Sequence, residues 1–354
     1  MSAALGEQSA PAVSVVMAAY NGARLIEETL ASVRRQTLHD YEVIVVDDCS
    51  TDDTRDVVAR WPDPRVRLIA LPENGGPVRA RNHALSHARG RHIAALDQDD
   101  LCHPERFARQ VAFLDANPAV ALVASRTDVL SDAGIAPSRH VRVTTPGLLG
   151  WLLCFSNPLV WSSAMVRGTA ARALDPFTRP GVLYAEDFDL YHRIAAHGQV
   201  ARIDMPLVTY RSHAGGCSQR YEDVMLASAE RVLREALSET FGGLAEGAAA
   251  LFVRHLMHGA PVPDGETLGR LAALLEHARL RYIAAARPDA RDRRLIARAT
   301  QDAWAEVVRA GLRHGTIGLR DALAVGPIAA VARVDRLAWS RMVGGVRPWM
   351  ATQE

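Results

Sequence analysis

Between residues 13 and 125 the chain alternates short apolar, β-branched runs with amphipathic stretches, and this rhythm restricts it to repeated β–α units. Val13-Ser14-Val15-Val16-Met17-Ala18 is a strand-like run ended by Tyr20-Asn21-Gly22, after which Leu25, Thr29 and Val33 recur at helical spacing. Glu42-Val43-Ile44-Val45-Val46 is a second run, stopped by Asp47-Asp48-Cys49-Ser50, and residues 66–70, 93–96 and 120–125 supply three more. Residues 76–88 read as a helix and Pro104 opens another. The pattern predicts an α/β, Rossmann-like domain with a mostly parallel sheet covered by helices on both faces. Ligands of such sheets bind beyond the carboxyl ends of the strands. Tyr20-Asn21, Asp47-Asp48 and Asp97-Gln98-Asp99-Asp100 all fall there, so they can share one crevice.

Residues 126–215 are less regular, with a helix-like stretch at 186–197 and a strand-like Leu207-Val208-Thr209-Tyr210. From about residue 222 the periodicity becomes Ala/Arg/Leu-rich and helical, broken near 259–265, 286–289 and Gly326-Pro327. The expected organisation is an N-terminal tail (1–12), an α/β domain (13–220) and a helical C-terminal appendage (221–354). The arginines of the appendage read more readily as a solvated face than as a binding surface. Residues 328–339 mix apolar and basic side chains in a way that suits an interfacial helix.

Lys and Arg number 41 against 40 Asp and Glu, so no global field attracts nucleic acid. Cys49, Cys102, Cys154 and Cys217 form no C-x-x-C pair and suit reduced thiols. Residues 1–12 lack a basic segment followed by an apolar one, and no apolar run approaches the ~18 residues of a spanning helix. A cytoplasmic protein, at most peripheral to a membrane, is expected.

Three carboxylates in Asp97-Gln98-Asp99-Asp100 repel one another at the mouth of a strand. The cluster reads equally as an acidic loop or as a site for a hard divalent cation with oxygen ligands. Asp47-Asp48 can accept hydrogen bonds from a nucleoside or stabilise a turn, and the turn is the commoner use. Tyr20 can stack on a base or merely pack. The loop Asn74-Gly75-Gly76 enters a helix bearing Arg79 and Arg81, which suits a diphosphate or ordinary capping; it is neither G-x-G-x-x-G nor a P-loop lysine motif. Glu186-Asp187-Phe188-Asp189 opens a helix, where acidic residues are favoured by the dipole or can supply a general base. His213, after the last strand, is a surface histidine or a further metal or phosphate ligand. No H-E-x-x-H spacing indicates zinc.

Taken in order, these segments resemble the family-2 inverting glycosyltransferases with the GT-A fold, from about residue 13 to 218. The resemblance is carried by residues 13–21, by Glu42-Val43-Ile44-Val45-Val46-Asp47-Asp48-Cys49-Ser50 and by Asn74-Gly75-Gly76 with Ala80-Arg81-Asn82. Leu96-Asp97-Gln98-Asp99-Asp100 with Pro104, and Glu186-Asp187-Phe188-Asp189-Leu190, complete it. It implies a GT-A fold, to which the helical region read from periodicity is a C-terminal addition. It also implies metal-dependent transfer of one sugar from a nucleotide-sugar donor to an acceptor hydroxyl, in surface polysaccharide, glycolipid or other glycoconjugate synthesis.

By that resemblance Ala18, Tyr20, Asp48, Arg81, Asp97 and Gln98 line the donor nucleotide. Asp97 and Asp99 attend Mn²⁺ or Mg²⁺, and Asp187 is the base, with Glu186 beside it; His213 is added to the metal ligands from its place after the last strand, not from the resemblance. Ala18 stands where many relatives carry Thr or Pro, and a Gly-Gly-Phe-Asp-like stretch is blurred into Leu174-Asp175-Pro176-Phe177-Thr178. Q-x-x-R-W, the mark of processive members, is absent. UDP is the default donor nucleotide, with dTDP or GDP as alternatives. Sugar or lipid-linked acceptors are the expected partners, and the C-terminal helices would serve membrane contact or a homodimer. A non-catalytic nucleotide-sugar-binding or scaffold protein is the alternative; a nucleotidyltransferase would need a Gly-rich, basic loop after the first strand, which Ala19-Tyr20-Asn21-Gly22 does not provide.

Overall fold

The computed structural model describes residues 10–138, 143–213 and 220–325. The apolar runs become strands and the amphipathic stretches helices, in the order β1 (Val13–Ala19), α1 (Ile26–Arg34), β2 (Tyr41–Asp47), α2 (Thr54–Ala59), β3 (Val66–Ala70), α3 (Gly76–Ser86) and β4 (His92–Ala95). Then follow β5 (Leu101–Cys102), α4 (Arg106–Ala116), β6 (Val120–Ser131), β7 (Gly134–Pro137), α5 (Pro146–Leu153), β8 (Met165–Arg167), α6 (Gly168–Ala173), α7 (Glu186–Ile194) and β9 (Gln199–Arg211). The remaining elements are helical: α8 (Glu222–Ala236), α9 (Ser238–Phe241), α10 (Ala245–Leu251), α11 (Gly265–Ala286), α12 (Ala290–His314) and α13 (Leu319–Ala324).

The sheet runs β3-β2-β1-β4-β8-β6-β9-β5, with β7 paired to β6. Its first four strands are parallel, as the alternating β–α pattern demands. The second half is mixed: β8 is antiparallel to both β4 and β6, while β6 and β9 are parallel. Antiparallel neighbours need no crossover helix, and β6 passes directly into β7, so the strict β–α alternation ends there. Two strands are also longer than their apolar runs, β6 reaching Ser131 and β9 beginning at Gln199. Val13, Val15 and Met17 on β1 and Val43 and Val45 on β2 are fully buried, against Ile26, Leu30 and Val33 of α1 and Phe107 and Leu114 of α4. Each such side chain contributes about 1.5–3 kcal/mol, so the register of β1 is strongly specified. That register matters for the site, because Ala19 pairs with Asp47 and Val16 with Ala95, bringing three strand ends to one edge.

The chain divides into two compact units, Met1–Pro146 with Pro158–Ser228, and Gly147–Asn157 with Ala229–Glu354. In the second, the fully buried Trp151 donates Nε1–H to Thr300 Oγ1 at 3.0 Å, and Tyr282 donates its hydroxyl to the Gly147 carbonyl at 2.6 Å. A short stretch from the middle of the sequence thus forms part of the helical unit. Asp264 and Asp289 cap α11 and α12, accepting from Thr267 N and Asp292 N. Among the described residues no helix is long and apolar enough to cross a membrane. Gly326-Pro327 and residues 328–339 lie outside the described residues, as does Cys217.

Candidate active site

Each predicted cluster sits on a strand end or a helix start of the first unit. Tyr20 follows β1, 46% exposed, and is held to the acidic loop by a reciprocal pair of bonds: Tyr20 N–H donates to Gln98 Oε1 and Gln98 Nε2 donates to the Tyr20 carbonyl, both at 3.0 Å. Gly22 permits this approach, since a Cβ there would stand 2.1 Å from Gln98 Oε1. Thr29 of α1 donates to the Gln98 carbonyl at 2.8 Å. Ala18 is half-buried on β1.

Asp48 follows β2 and is almost wholly buried. Its Oδ1 accepts from Gly75 N at 2.9 Å and its Oδ2 from Gly76 N at 2.7 Å, while Asn74 Nδ2 donates to its carbonyl. Gly76 has φ +81, a left-handed conformation that a residue with a Cβ adopts only under strain. Asp48 therefore spends both oxygens on shaping the loop that enters α3. Arg79 folds back over Gly75, where a Cβ would stand 2.3 Å from its Cδ, and pairs with Glu73 on the surface.

The acidic loop divides its three carboxylates. Asp99 Oδ2 meets His213 Nε2 at 3.0 Å. Asp97 Oδ1 accepts from Arg81 Nη2 at 2.8 Å, and its backbone N–H donates to Ser162 Oγ. Asp100 turns inward, accepting from Arg211 N at 2.8 Å. Burial, and then the neighbouring Asp97 charge, push the Asp99 carboxyl up from its ordinary range, against the opposing pull of His213. Asp100 is pushed well up by burial and by both Asp97 and Asp99. Arg211 completes the clamp, with Nε to the Asp99 carbonyl at 3.0 Å and Nη2 to Glu28 at 2.6 Å.

Arg81 of α3 is the hub. One Nη reaches Asp97 and the other hydrogen-bonds Glu186 at the start of α7, joining segments 16 and 105 residues away. The guanidinium lies 4.6 Å from the centre of the Trp161 ring. Burial works against its charge, yet the Asp97 and Glu186 carboxylates hold it more firmly protonated than usual. Asp187 stands next to Glu186, half-buried, with Oδ1 accepting from Phe188 N at 2.7 Å. One turn on, Tyr191 is fully buried, and burial followed by the Asp187 charge pushes its hydroxyl well up. Asp189 serves the scaffold: it pairs with Arg179 and Arg193, and Arg193 also binds the carbonyls of Pro176 and Phe177. Asn82 and Thr178 exchange bonds at 2.7 and 2.9 Å, so the stretch 174–178 is tied to α3.

The predicted residues thus fall into three linked groups: Tyr20 with Gln98, Arg81 with Asp97 and Glu186, and Asp99 with His213. Asp48 supports the loop beside them. Trp161, Ser162 and Arg211 were not singled out from sequence. Trp161 and Ser162 belong to an irregular stretch, and Arg211 ends β9 with no motif around it. Among the described residues no group of three His, Cys, Asp or Glu side chains is spaced to hold an ion alone. His213 Nε2 is committed to Asp99, so ligation by that nitrogen requires the pair to open. The donor chemistry nevertheless suits a hard cation shared with a diphosphate, which takes only one or two protein carboxylates.

A curled α/β sheet with acidic groups at its carboxyl edge is the arrangement of a GT-A transferase. The chain matches the model of Glycosyl transferase family 2 over residues 14–157. It is 33% identical over 196 residues to the EpsE protein of Bacillus subtilis (strain 168), a stretch covering 54% of this chain and 69% of that one. It is 49% identical over 121 residues to the succinoglycan biosynthesis protein ExoO of Rhizobium meliloti (strain 1021), where it spans about a third of each chain, 34%. In fold it is similar to S. aureus TarS 1-349 in complex with UDP-GlcNAc, with TM-score 0.53, 20% identity, and coverage of 80% of this chain and 90% of that one. The chain belongs to glycosyltransferase family 2.

Proposed function

We propose that the protein is an inverting, metal-dependent, non-processive glycosyltransferase that moves one sugar from a nucleotide sugar, with UDP the default nucleotide, to an acceptor hydroxyl. The observation that carries this reading is the buried Arg81 bridge between Asp97 and Glu186, which places the donor-side acidic loop next to the helix bearing Asp187. Tyr20, exposed beyond β1 with its backbone bonded to the Gln98 carboxamide, would stack on the base. Asp97 and Asp99 would hold Mn²⁺ or Mg²⁺, with His213 as a further ligand once released from Asp99. When bound, such an ion neutralises the departing diphosphate.

The chain's own residues do the rest. Asp187 accepts the proton of the acceptor hydroxyl as its oxygen attacks the anomeric carbon, while the bond from that carbon to the diphosphate oxygen breaks. One displacement inverts the centre and needs no covalent enzyme intermediate. Glu186, paired to Arg81, holds the helix start in place and is not the group that takes the proton. Membership of the family and the name of the succinoglycan relative favour a role in polysaccharide or other glycoconjugate synthesis.

A panel of UDP-, dTDP- and GDP-sugars with Mn²⁺, read by thermal shift and slow donor hydrolysis, tests the proposal. Selective protection by one nucleotide class supports it; no response to any would favour a scaffold.

A further inference from the structure

The turn between α11 and α12 concentrates positive charge. Residues 281–298 hold six arginines against two aspartates, in a chain whose formal net charge is +1. Arg287, Arg291, Arg294 and Arg298 are all exposed and follow one another at spacings of four, three and four residues. On α12 this puts Arg291, Arg294 and Arg298 on one face, a stripe about 10 Å long, opposite the buried Ile296 and Thr300. Arg287, just past the end of α11, leads into it. The two aspartates are engaged elsewhere: Asp289 caps α12 by accepting from Asp292 N, and Asp292 lies so close to Gly147 that a Cβ there would stand 2.3 Å from its Oδ2. Other arginines of these helices pair with carboxylates, as Arg231 does with Glu235, Arg279 with Glu276 and Arg309 with Glu306. Arg287, Arg291 and Arg294 have no such partner among the described residues, and Arg298 has only Asp302, at 4.0 Å.

The fold gains nothing from this stripe. Like charges three and four residues apart repel on a helix surface, and Arg291 and Arg294 stand near the start of α12, where the dipole disfavours cations. An ordinary solvated face does not account for such a cost. Beside the stripe, Leu280 is 55% exposed, and the exposed Ala284, Ala285 and Ala286 run straight into Arg287. We propose that the α11–α12 turn is a docking surface for an anionic phospholipid bilayer. Guanidinium forks suit headgroup phosphates, and the stripe is longer than any single phosphate. The apolar run enters the boundary between headgroups and acyl chains. A nucleic acid would use the arginines but leave that apolar surface wet. The surface lies wholly within the helical unit and stands independently of the transferase reading.

Co-sedimentation of the full chain with vesicles tests it, comparing phosphatidylglycerol mixed into phosphatidylcholine with phosphatidylcholine alone. The wild type is expected to bind the mixed vesicles selectively and to be released in about 1 M NaCl, where the Debye length is about 3 Å. A triple variant, Arg287→Gln with Arg291→Gln and Arg294→Gln, should partition about 100-fold less, at about fivefold per arginine. The same three positions changed to Lys should keep most of the binding. Because the Gln variant removes the repulsion and the dipole conflict, its melting temperature should equal or exceed that of the wild type. A clear fall would assign the arginines to the fold and overturn the proposal. Equal binding by the Gln variant, equal binding to both kinds of vesicle, or no vesicle binding by the wild type would also overturn it. Stripe-dependent binding of a DNA duplex without vesicle binding would make the partner a nucleic acid and defeat the membrane reading.

Discussion

Arg81 hydrogen-bonds Glu186 across 105 residues of chain, and both side chains are buried. A buried charge pair leaves a heavy penalty when one member is removed, so the bond couples α3 to the start of α7. Arg81→Lys keeps the charge but not the fork that spans Asp97 and Glu186. It should lower kcat by about tenfold or more, by analogy with lost charge-assisted bonds, with a smaller change in donor KM. Steady-state kinetics checks the split; an unchanged kcat would show that the bridge does not position the base.

Asp48→Ala leaves the Gly75 and Gly76 amides without their acceptors. Urea unfolding should report a loss of about 1–3 kcal/mol, and nucleotide affinity should fall with it. Asp48→Asn retains one acceptor oxygen and should lie between. If Asp48→Ala weakens nucleotide binding with no loss of stability, the side chain contacts the base rather than shaping the loop.

Asp99→Ala, or removal of metal with EDTA, should erase the gain in UDP affinity that Mn²⁺ confers. Calorimetric titration of UDP with and without Mn²⁺ measures that gain. A metal-dependent increment that survives in the variant would remove Asp99 from the ligand set.

Glu42 closes the foot of the β1–β2 pair, accepting from Ser14 Oγ at 2.7 Å, Arg89 N at 2.9 Å and Arg89 Nη2 at 3.0 Å. Burial raises its carboxyl, but those bonds outweigh it and hold the group below its usual 4.5. A lowered folded value means stability present above the unfolded one and lost as pH falls through the folded one. Glu42→Gln should therefore cost about 1–2 kcal/mol at pH 7, and the difference from wild type should shrink below about pH 4. A deficit of the same size at pH 3 would point to packing instead.

How much of this was legible beforehand follows from where the determinants lie. The parallel half of the sheet announced itself because β1, β2 and β4 are apolar runs each ended by a polar cluster, and the edge they share located Tyr20, Asp48 and Asp97. The mixed half did not, because β8 has only three residues and β6 passes straight into its antiparallel partner β7. The membership of residues 147–157 in the helical unit depends on Trp151 meeting Thr300, a contact 149 residues apart that no local pattern encodes. Residue types picked out the candidate residues but not their pairings. That Asp48 would turn to two glycine amides, and Arg81 to two carboxylates, is set by side-chain direction. Trp161 and Arg211 carried no signal beyond their identity.

The central claim is that Asp187 takes the acceptor's proton while the donor is held elsewhere. Asp187→Asn, assayed for sugar transfer and in parallel for UDP-sugar affinity with Mn²⁺, addresses it directly. The account predicts transfer reduced by about 10²–10⁴-fold with donor affinity nearly unchanged. Undiminished turnover in Asp187→Asn would contradict it.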